Sequence, residues 1–543
     1  MSKLWIMIPA RGGSRGVPRK NVRLLAGVPM IARVVRTALE ACAASNIVVI
    51  TDDDEIDALA HAEGVHVVRE GETTGRATLD DVALKVVADL ERLGASDDDV
   101  FLTLEPTCPF LRASRITEAL QAFETGAGSV ITVVDDRYLA WRLGADGAPA
   151  PAYAARVNRQ QLEPNFRETG AIIGCRLGDL KAKRTRIVAP IRLIEVAKEE
   201  ALDIDDFADW AVAEYLVSRR KIVIRADASQ EIGMGHVYRA LAAAQELARH
   251  EIVIATDAAK PLGAALFSSY PFELAQVNGD QGFIDLVDRL RPELVLLDQL
   301  DTGADYVRAL KRSAHRVVTF EDLGAGALEA DLVVSDLYQN LQAPDERQLS
   351  GIQNSILAPN FETASEPTPF NETVQRVLVV FGGTDPSGLT EKTLAALAQS
   401  GFKGEVTVVS GPGVKQKLSL AKHGLKGELL SNVKYMPGVM RNADLAISSA
   451  GRTVTELISL GVPVLCLCQN ERELTHTHAS ARYGVVNLGL GALVGAGTLS
   501  AHIQRLVNAP DLRRVLRERA LHETANRSNA AVIQRIMAKL GLA

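Results

Sequence analysis

At 543 residues the chain exceeds what one ordinary hydrophobic core serves, so roughly two to four domains are expected. A formal net charge of −7 argues against a general nucleic-acid binder, so local basic loops point to small anionic ligands. No run approaches the ~18 apolar residues of a membrane helix, no basic segment followed by an apolar one suggests a signal peptide, and the five scattered cysteines fit a reducing, cytoplasmic setting.

In chain order, residues 4–8 read as a buried strand, followed by a loop, residues 9–21, rich in glycine, arginine and proline. Gly12, Gly13 and Gly16 let the backbone turn tightly, while Arg11, Arg15, Arg19 and Lys20 supply charge for a polyphosphate. A basic, glycine-rich loop after the first strand of an α/β pattern is a nucleotide-site candidate. It lacks the G-K-[S/T] of a Walker A loop and the G-x-G-x-x-G of the dinucleotide fingerprint. Residues 30–42 then read as a helix, 47–50 as a strand ending in Thr51-Asp52-Asp53, 54–63 as a helix, 65–68 as a strand and 80–93 as a helix. Residues 100–104 form a strand ending at Glu105-Pro106-Thr107, and 130–134 add another. Such alternation predicts a mostly parallel sheet, with ligands at the carboxyl ends of its strands. Asp203 and Asp205 stand two apart on an extended segment before a helix at 207–217, so both can face one side, as a divalent cation requires. The alternative, that Asp205 and Asp206 only cap that helix, stays open.

Residues 9–21 resemble the opening of the CMP-sialic acid synthetases, P-A-R-G-G-S-K-G-I-P-x-K-N, with Arg15 for Lys and Val17 for Ile. Residues 158–171 and 202–206 resemble the family's R-Q-D-L-P-x-x-Y-x-x-N-G-A and D-I-D-T-x-x-D segments more loosely. The resemblance implies cytidylyl transfer from CTP to a nonulosonic acid, with pyrophosphate leaving. Arg11 and Lys20 would neutralise the triphosphate, and Mg²⁺ or another divalent cation would sit on Asp203 and Asp205. It also implies that Ala10, Gly12, Ser14 and Asn21 belong to the nucleotide site, that Arg69 reaches base or ribose, that Glu105, Arg159 and Gln160 lie toward the sugar, and that a homodimer forms. The departures fall on the sugar side. Glu105 stands for Gln, Cys108 for Ser and Thr169 for Asn, and an extra residue precedes Arg112. A carboxylate at Glu105 would repel a sugar carboxylate unless something offsets it.

A polar hinge at 218–221 opens a second α/β region. Strand 222–224 leads into Arg225-Ala226-Asp227 and Gly233-Met234-Gly235-His236, with a helix expected over 236–249. His236 at a helix N-terminus suits a neutral general base. Strands at 295–297, 317–320 and 332–334, a linker near 363–372, and a strand at 377–381 ending in Gly382-Gly383-Thr384 follow. A turn at 448–453 before a helix at 454–460 offers N–H groups to a diphosphate, and residues 512–540 are expected to complete the last lobe.

This half resembles the nucleotide-sugar hydrolase of pseudaminic acid biosynthesis (R-x-D-x-S-x-x-I-G-x-G-H-x-x-R), itself similar to two-lobed GT-B glycosyltransferases. The resemblance implies a UDP-sugar substrate, His236 as base, and Asp227, Gly235, Gly383, Gly451, Thr453 and Glu456 as binding residues. It departs at Asp298-Gln299-Leu300-Asp301 and at His476 and His478, a pair with no evident third metal ligand. The expected fold is α/β: a Rossmann-like nucleotidyltransferase domain at 1–218, then GT-B-like lobes at 219–365 and 373–543. The sequence thus reads as a bifunctional enzyme without membrane span or nucleic-acid partner. A glycosyltransferase in the second half, or one half acting as a non-catalytic nucleotide-sugar scaffold, are the alternatives.

Overall fold

In the computed structural model, every residue is described except 1, 15, 71–77, 230–232, 339–340, 342, 365, 384, 412–413, 415–416, 432 and 543. Arg15, Gln230, Glu231, Ile232 and Thr384 therefore lie outside the described residues. The chain divides into two compact units, residues 1–218 and 219–543.

In the first unit, apolar strands stack into a seven-stranded sheet in the order Ile191–Glu195, Ser129–Asp135, Phe166–Arg176, Val100–Thr103, Leu4–Pro9, Ile47–Thr51, His66–Arg69. Only Phe166–Arg176 runs antiparallel to its neighbours. Leu4–Pro9 shows why both faces are covered: Ile6 and Ile8 pack into one core, Trp5 and Met7 into the opposite one. The central strands all end on one edge, which brings the basic loop, Thr51-Asp52-Asp53 and Glu105 together. The hairpin Trp141–Leu143 with Pro149–Pro151, absent from the sequence reading, leaves Trp141 and Leu143 exposed.

The second unit holds two parallel sheets. Seven strands run in the order Glu273–Val277, Glu251–Asp257, Lys221–Ala226, Leu294–Asp298, Arg316–Phe320, Leu332–Ser335, Gln348–Ser350. Six run in the order Lys426–Ser431, Glu405–Ser410, Arg376–Val380, Leu445–Ser448, Val464–Cys468, Val485–Leu490. The expectation that the final helices complete the second lobe is corrected. Helix Pro510–Thr524 does so through Leu516 and Ala520, but Asn529–Lys539 returns to the first lobe. There Val532, Ile533, Ile536 and Met537 pack beside Val237, Ala240 and Leu241 of the helix Gly235–Glu246. The chain's far end therefore covers part of the first lobe's apolar face. Among the described residues, no helix is long and apolar enough to cross a membrane.

Candidate functional site

The basic loop of the first unit is held against the 203–206 segment. A Cβ at Gly16 would lie 1.9 Å from the Asp205 carbonyl oxygen, so only glycine allows that approach. Lys20 is buried; its Nζ donates to the Ile204 carbonyl and stands 3.3 Å from Asp205 Oδ1. Asp206, not Asp205, caps the helix Phe207–Val217: its carboxylate accepts from the N–H groups of Ala208 and Asp209, and Asp209 closes the capping box. Asp205 is thereby left to face Lys20, with its side chain largely exposed. Asp203 Oδ1 is buried and has no hydrogen-bond partner among the described residues. Burial, and then the neighbouring Asp205, raise the Asp203 carboxyl above its ordinary value.

The remaining loop residues are tied down locally. Ala10 is buried and its N–H donates to the Ile50 carbonyl at 2.9 Å. The Gly12 N–H donates to Asp52 Oδ1 at 2.9 Å, and Asn21 Nδ2 donates to the Arg11 carbonyl at 2.9 Å. Asn21 Oδ1 is buried without a partner among the described residues. Arg11 Nε reaches the buried Glu70 at 3.4 Å, and the exposed Arg19 pairs with Asp53 and Glu55. Ser14 is half-buried in the same loop. Arg69, at the end of the edge strand, is engaged by Asp54 at 2.7 Å and Asp57 at 3.3 Å.

On the expected sugar side, Glu105 projects beside Gly170, and its carboxyl is pushed up to about 7 by burial and then by Asp203. Arg186 opposes that push; it is buried, bonds Asp80 at 2.5 Å, and keeps Nη1 without a partner among the described residues. The other two departures are structural in this setting. Thr169 Oγ1 bonds Thr132 Oγ1 at 2.8 Å inside an irregularity of strand Phe166–Arg176, and Cys108 Sγ donates to the Thr169 carbonyl at 3.1 Å. Arg159 and Gln160 sit exposed on a short 3-10 turn, Arg159 stacked 4.8 Å from the Tyr138 ring centre.

In the second unit, His236 lies in the first turn of Gly235–Glu246, and its Nδ1 is 2.5 Å from Asp298 Oδ1. Asp298 ends the buried strand Leu294–Asp298 and takes two hydrogen bonds from Arg239, at 2.5 and 2.6 Å. Burial alone would raise this carboxyl; Arg239, then His236, hold it well below the usual carboxylate range. An ionised Asp298 makes Nδ1 the donor and leaves Nε2 as the basic nitrogen. Arg239 also bonds Glu321 at 2.8 Å. His236 and Asp298 line a cavity of about 110 Å³ with Asp227, Lys260, Gln299 and Leu300. Asp227 accepts from the Asp257 N–H at 2.8 Å and faces Lys260 Nζ at 3.3 Å.

The second lobe meets the start of helix Gly235–Glu246 through the turn before helix Thr453–Ser459. A Cβ on Gly235 would lie 3.1 Å from Arg452 Cδ, so that glycine lets the turn close in. Arg452 extends into the first lobe, reaching Asp336 at 3.3 Å and the Ile356 carbonyl at 2.6 Å. His476 and His478, weighed above as a metal pair, serve the turn itself: His476 Nδ1 bonds the Ala450 carbonyl at 2.7 Å and His478 Nε2 the Gly451 carbonyl at 3.1 Å. Among the described residues, no cluster of three or more metal-type ligands occurs. Thr453 opens the helix, and Glu456 follows one turn later, pushed up to about 7 by burial. Gly383 follows strand Arg376–Val380, beside Leu445–Ser448 in the sheet, and so lies on the same edge as Gly451.

Asp298, Lys260 and Arg452 are site residues to which the sequence reading gave no role. Asp298 had a signal, a lone acid closing an apolar strand at its carboxyl end.

A family model described as Cytidylyltransferase matches residues 5–137, and one described as Glycosyltransferase family 28 C-terminal domain matches 377–526. The chain is similar to an uncharacterized protein of Methanocaldococcus jannaschii, 28% identical over 272 residues, 46% of this chain and 56% of that one. It is similar to spore coat polysaccharide biosynthesis protein SpsG of Bacillus subtilis, 27% identical over 305 residues, 53% of this chain and 90% of that one. It is also similar to N-acylneuraminate cytidylyltransferase A of Danio rerio, 30% identical over 220 residues, 39% of this chain and 50% of that one. The chain spans about half the length of the first and last of these relatives. It therefore carries an N-terminal cytidylyltransferase domain similar to N-acylneuraminate cytidylyltransferases, followed by a GT-B-like unit with a family 28 type C-terminal domain.

Proposed function

We propose that the chain combines two activities of sialic-acid-like sugar metabolism. The first unit transfers a cytidylyl group from CTP to a nonulosonic acid. A sugar hydroxyl gives up its proton to solvent as its oxygen bonds to the α-phosphorus, the bond to the β-phosphate oxygen breaks, and pyrophosphate leaves. The meeting of Lys20, Asp203 and Asp205 beside the basic loop carries this reading. Arg11 and Lys20 bring positive charge to the triphosphate, and loop N–H groups such as that of Gly12 can exchange Asp52 for a phosphate oxygen. The unpartnered oxygen of Asp203 and the exposed carboxylate of Asp205 are hard donors that fit Mg²⁺. They would hold the ion, which when bound supplies charge neutralisation at the reacting phosphate. Glu105, which can stand neutral near pH 7, and Arg186 relieve the repulsion of a sugar carboxylate. The exposed hairpin bearing Trp141 and Leu143 offers an apolar surface for a homodimer. Pyrophosphate release with CTP, Mg²⁺ and a panel of nonulosonic acids tests the reading; no release with any acid overturns it.

The second unit hydrolyses a UDP-linked aminosugar. His236 Nε2 takes a proton from water, the water oxygen bonds to the anomeric carbon, and the bond to the UDP oxygen breaks. The His236–Asp298 pair on the cavity wall carries this reading. The turn at 448–453 receives the diphosphate and Glu456 the ribose hydroxyls. A second reading, transfer of the sugar to an acceptor, is favoured by the family 28 match over 377–526. Product analysis separates the two: free sugar plus UDP supports hydrolysis, and a glycoside formed only with an acceptor supports transfer.

A further inference from the structure

The second lobe contains a larger cavity, of about 350 Å³, away from the site described above. Its wall includes Arg376 and Asp444, at the starts of the parallel strands Arg376–Val380 and Leu445–Ser448. Gly383 and the diphosphate turn follow the opposite ends of the same strands, about 15 Å away at ~3.3 Å per residue. The cavity is therefore separate from the UDP-sugar cleft.

Three features of its lining converge on one kind of ligand. The Arg376 guanidinium has no partner among the described residues, and Arg441 has only the exposed Glu366 at 3.4 Å. The carboxylate in the wall is engaged elsewhere: Asp444 accepts from Asn371 Nδ2 at 2.7 Å and from the N–H groups of Gln375 and Arg376 at 2.8 Å, so it ion-pairs with neither guanidinium. Thr368 is 5% exposed and closes the wall; its hydroxyl is buried, without a hydrogen-bond partner among the described residues. Tyr435, half exposed, adds an aromatic face at the rim. Two guanidiniums suit an oxyanion, and the volume suits a small organic molecule.

We infer that this cavity is a second small-molecule site, binding an oxyanion-bearing ligand, a phosphate ester or a carboxylate, through Arg376 and Arg441. The inference stands on the cavity alone and does not require either proposed activity. The three tryptophans, Trp5, Trp141 and Trp210, all lie in the first unit, so Tyr435→Trp places a fluorescent reporter in the second lobe. The full-length variant is titrated with inorganic phosphate, CMP and glucuronate, and the response of the unmodified chain is subtracted. Saturation by phosphate or CMP identifies a phosphate site, and saturation by glucuronate a carboxylate site. Adding Arg376→Ala weakens binding at least tenfold while UDP binding is retained. Calorimetry on Arg441→Ala with the same three probes gives an independent reading, a similar loss. No saturable response to any probe, or a response indifferent to both arginine variants, overturns the inference.

Discussion

His236 and Asp298 meet at 2.5 Å across 62 residues of sequence, and Arg239 clasps the same carboxylate from behind. The imidazole is thus fixed in one tautomer by a buried, ionised acid that cannot rotate away. Asp298→Asn keeps the shape and removes that instruction, while Arg239 retains its bond to Glu321. The expected outcome is a fall in kcat for UDP release of about 100-fold or more, with KM changed little. A coupled UDP assay, with circular dichroism confirming the fold, checks it. A variant with normal kcat would remove the dyad.

The three acids after the first unit's last loop divide their labour: Asp206 caps, Asp205 faces Lys20, and Asp203 keeps a free buried oxygen. Asp203→Asn and Asp205→Asn are each expected to lower pyrophosphate release at least 100-fold, without loss of fold. Asp206→Ala is expected to cost about 1 kcal/mol of stability and leave kcat near wild type. Equal kinetic damage from all three would mean that the segment is merely a helix cap.

The sequence made the basic loop legible because its chemistry is local: glycines, arginines and a lysine follow one strand, and the fold only had to bend them toward Asp203 and Asp205. His236 was legible for the same reason, as a histidine in a glycine-rich strand-to-helix turn. Its partner was not, because Asp298 read as part of a departure from a family pattern, and only strand pairing shows that Lys221–Ala226 and Leu294–Asp298 are neighbours. The histidines at 476 and 478 read as possible ligands because spacing does not reveal that each ring bonds a carbonyl of the turn. Helix Asn529–Lys539 was legible as a helix but not as part of the first lobe, since periodicity states that a face is apolar without naming what covers it.

That returning helix sets a stability expectation. Ile536 is 1% exposed in the first-lobe core, so Ile536→Ala is expected to cost about 2–4 kcal/mol, including the cavity left behind. The loss falls on the second unit. Far-UV dichroism is expected to show part of the chain unfolding at lower denaturant, while tryptophan fluorescence, which reports only on residues 1–218, keeps its midpoint. An unchanged dichroism profile would mean that the helix is dispensable to the lobe.

Glu456 makes a pH-dependent prediction whose sign follows from its burial. Burial favours the protonated carboxyl and raises it from 4.5 to about 7, against the pull of Arg452. On the proposed reading, the ionised form accepts charge-assisted hydrogen bonds from both ribose hydroxyls, which are stronger than those the neutral carboxyl can accept. Affinity for uridine, which has no phosphate to titrate, is therefore expected to fall as pH drops from 8 to 6, by at most about tenfold per unit below the pKa. Glu456→Gln is expected to flatten that profile, as calorimetry at several pH values would show. Stability runs the other way: the folded state holds the extra proton between pH 4.5 and about 7, so the second unit loses stability as pH rises through that window. The same variant removes this slope from the denaturation midpoint. Identical binding and unfolding profiles for wild type and variant would show that Glu456 neither titrates in this range nor receives the ribose.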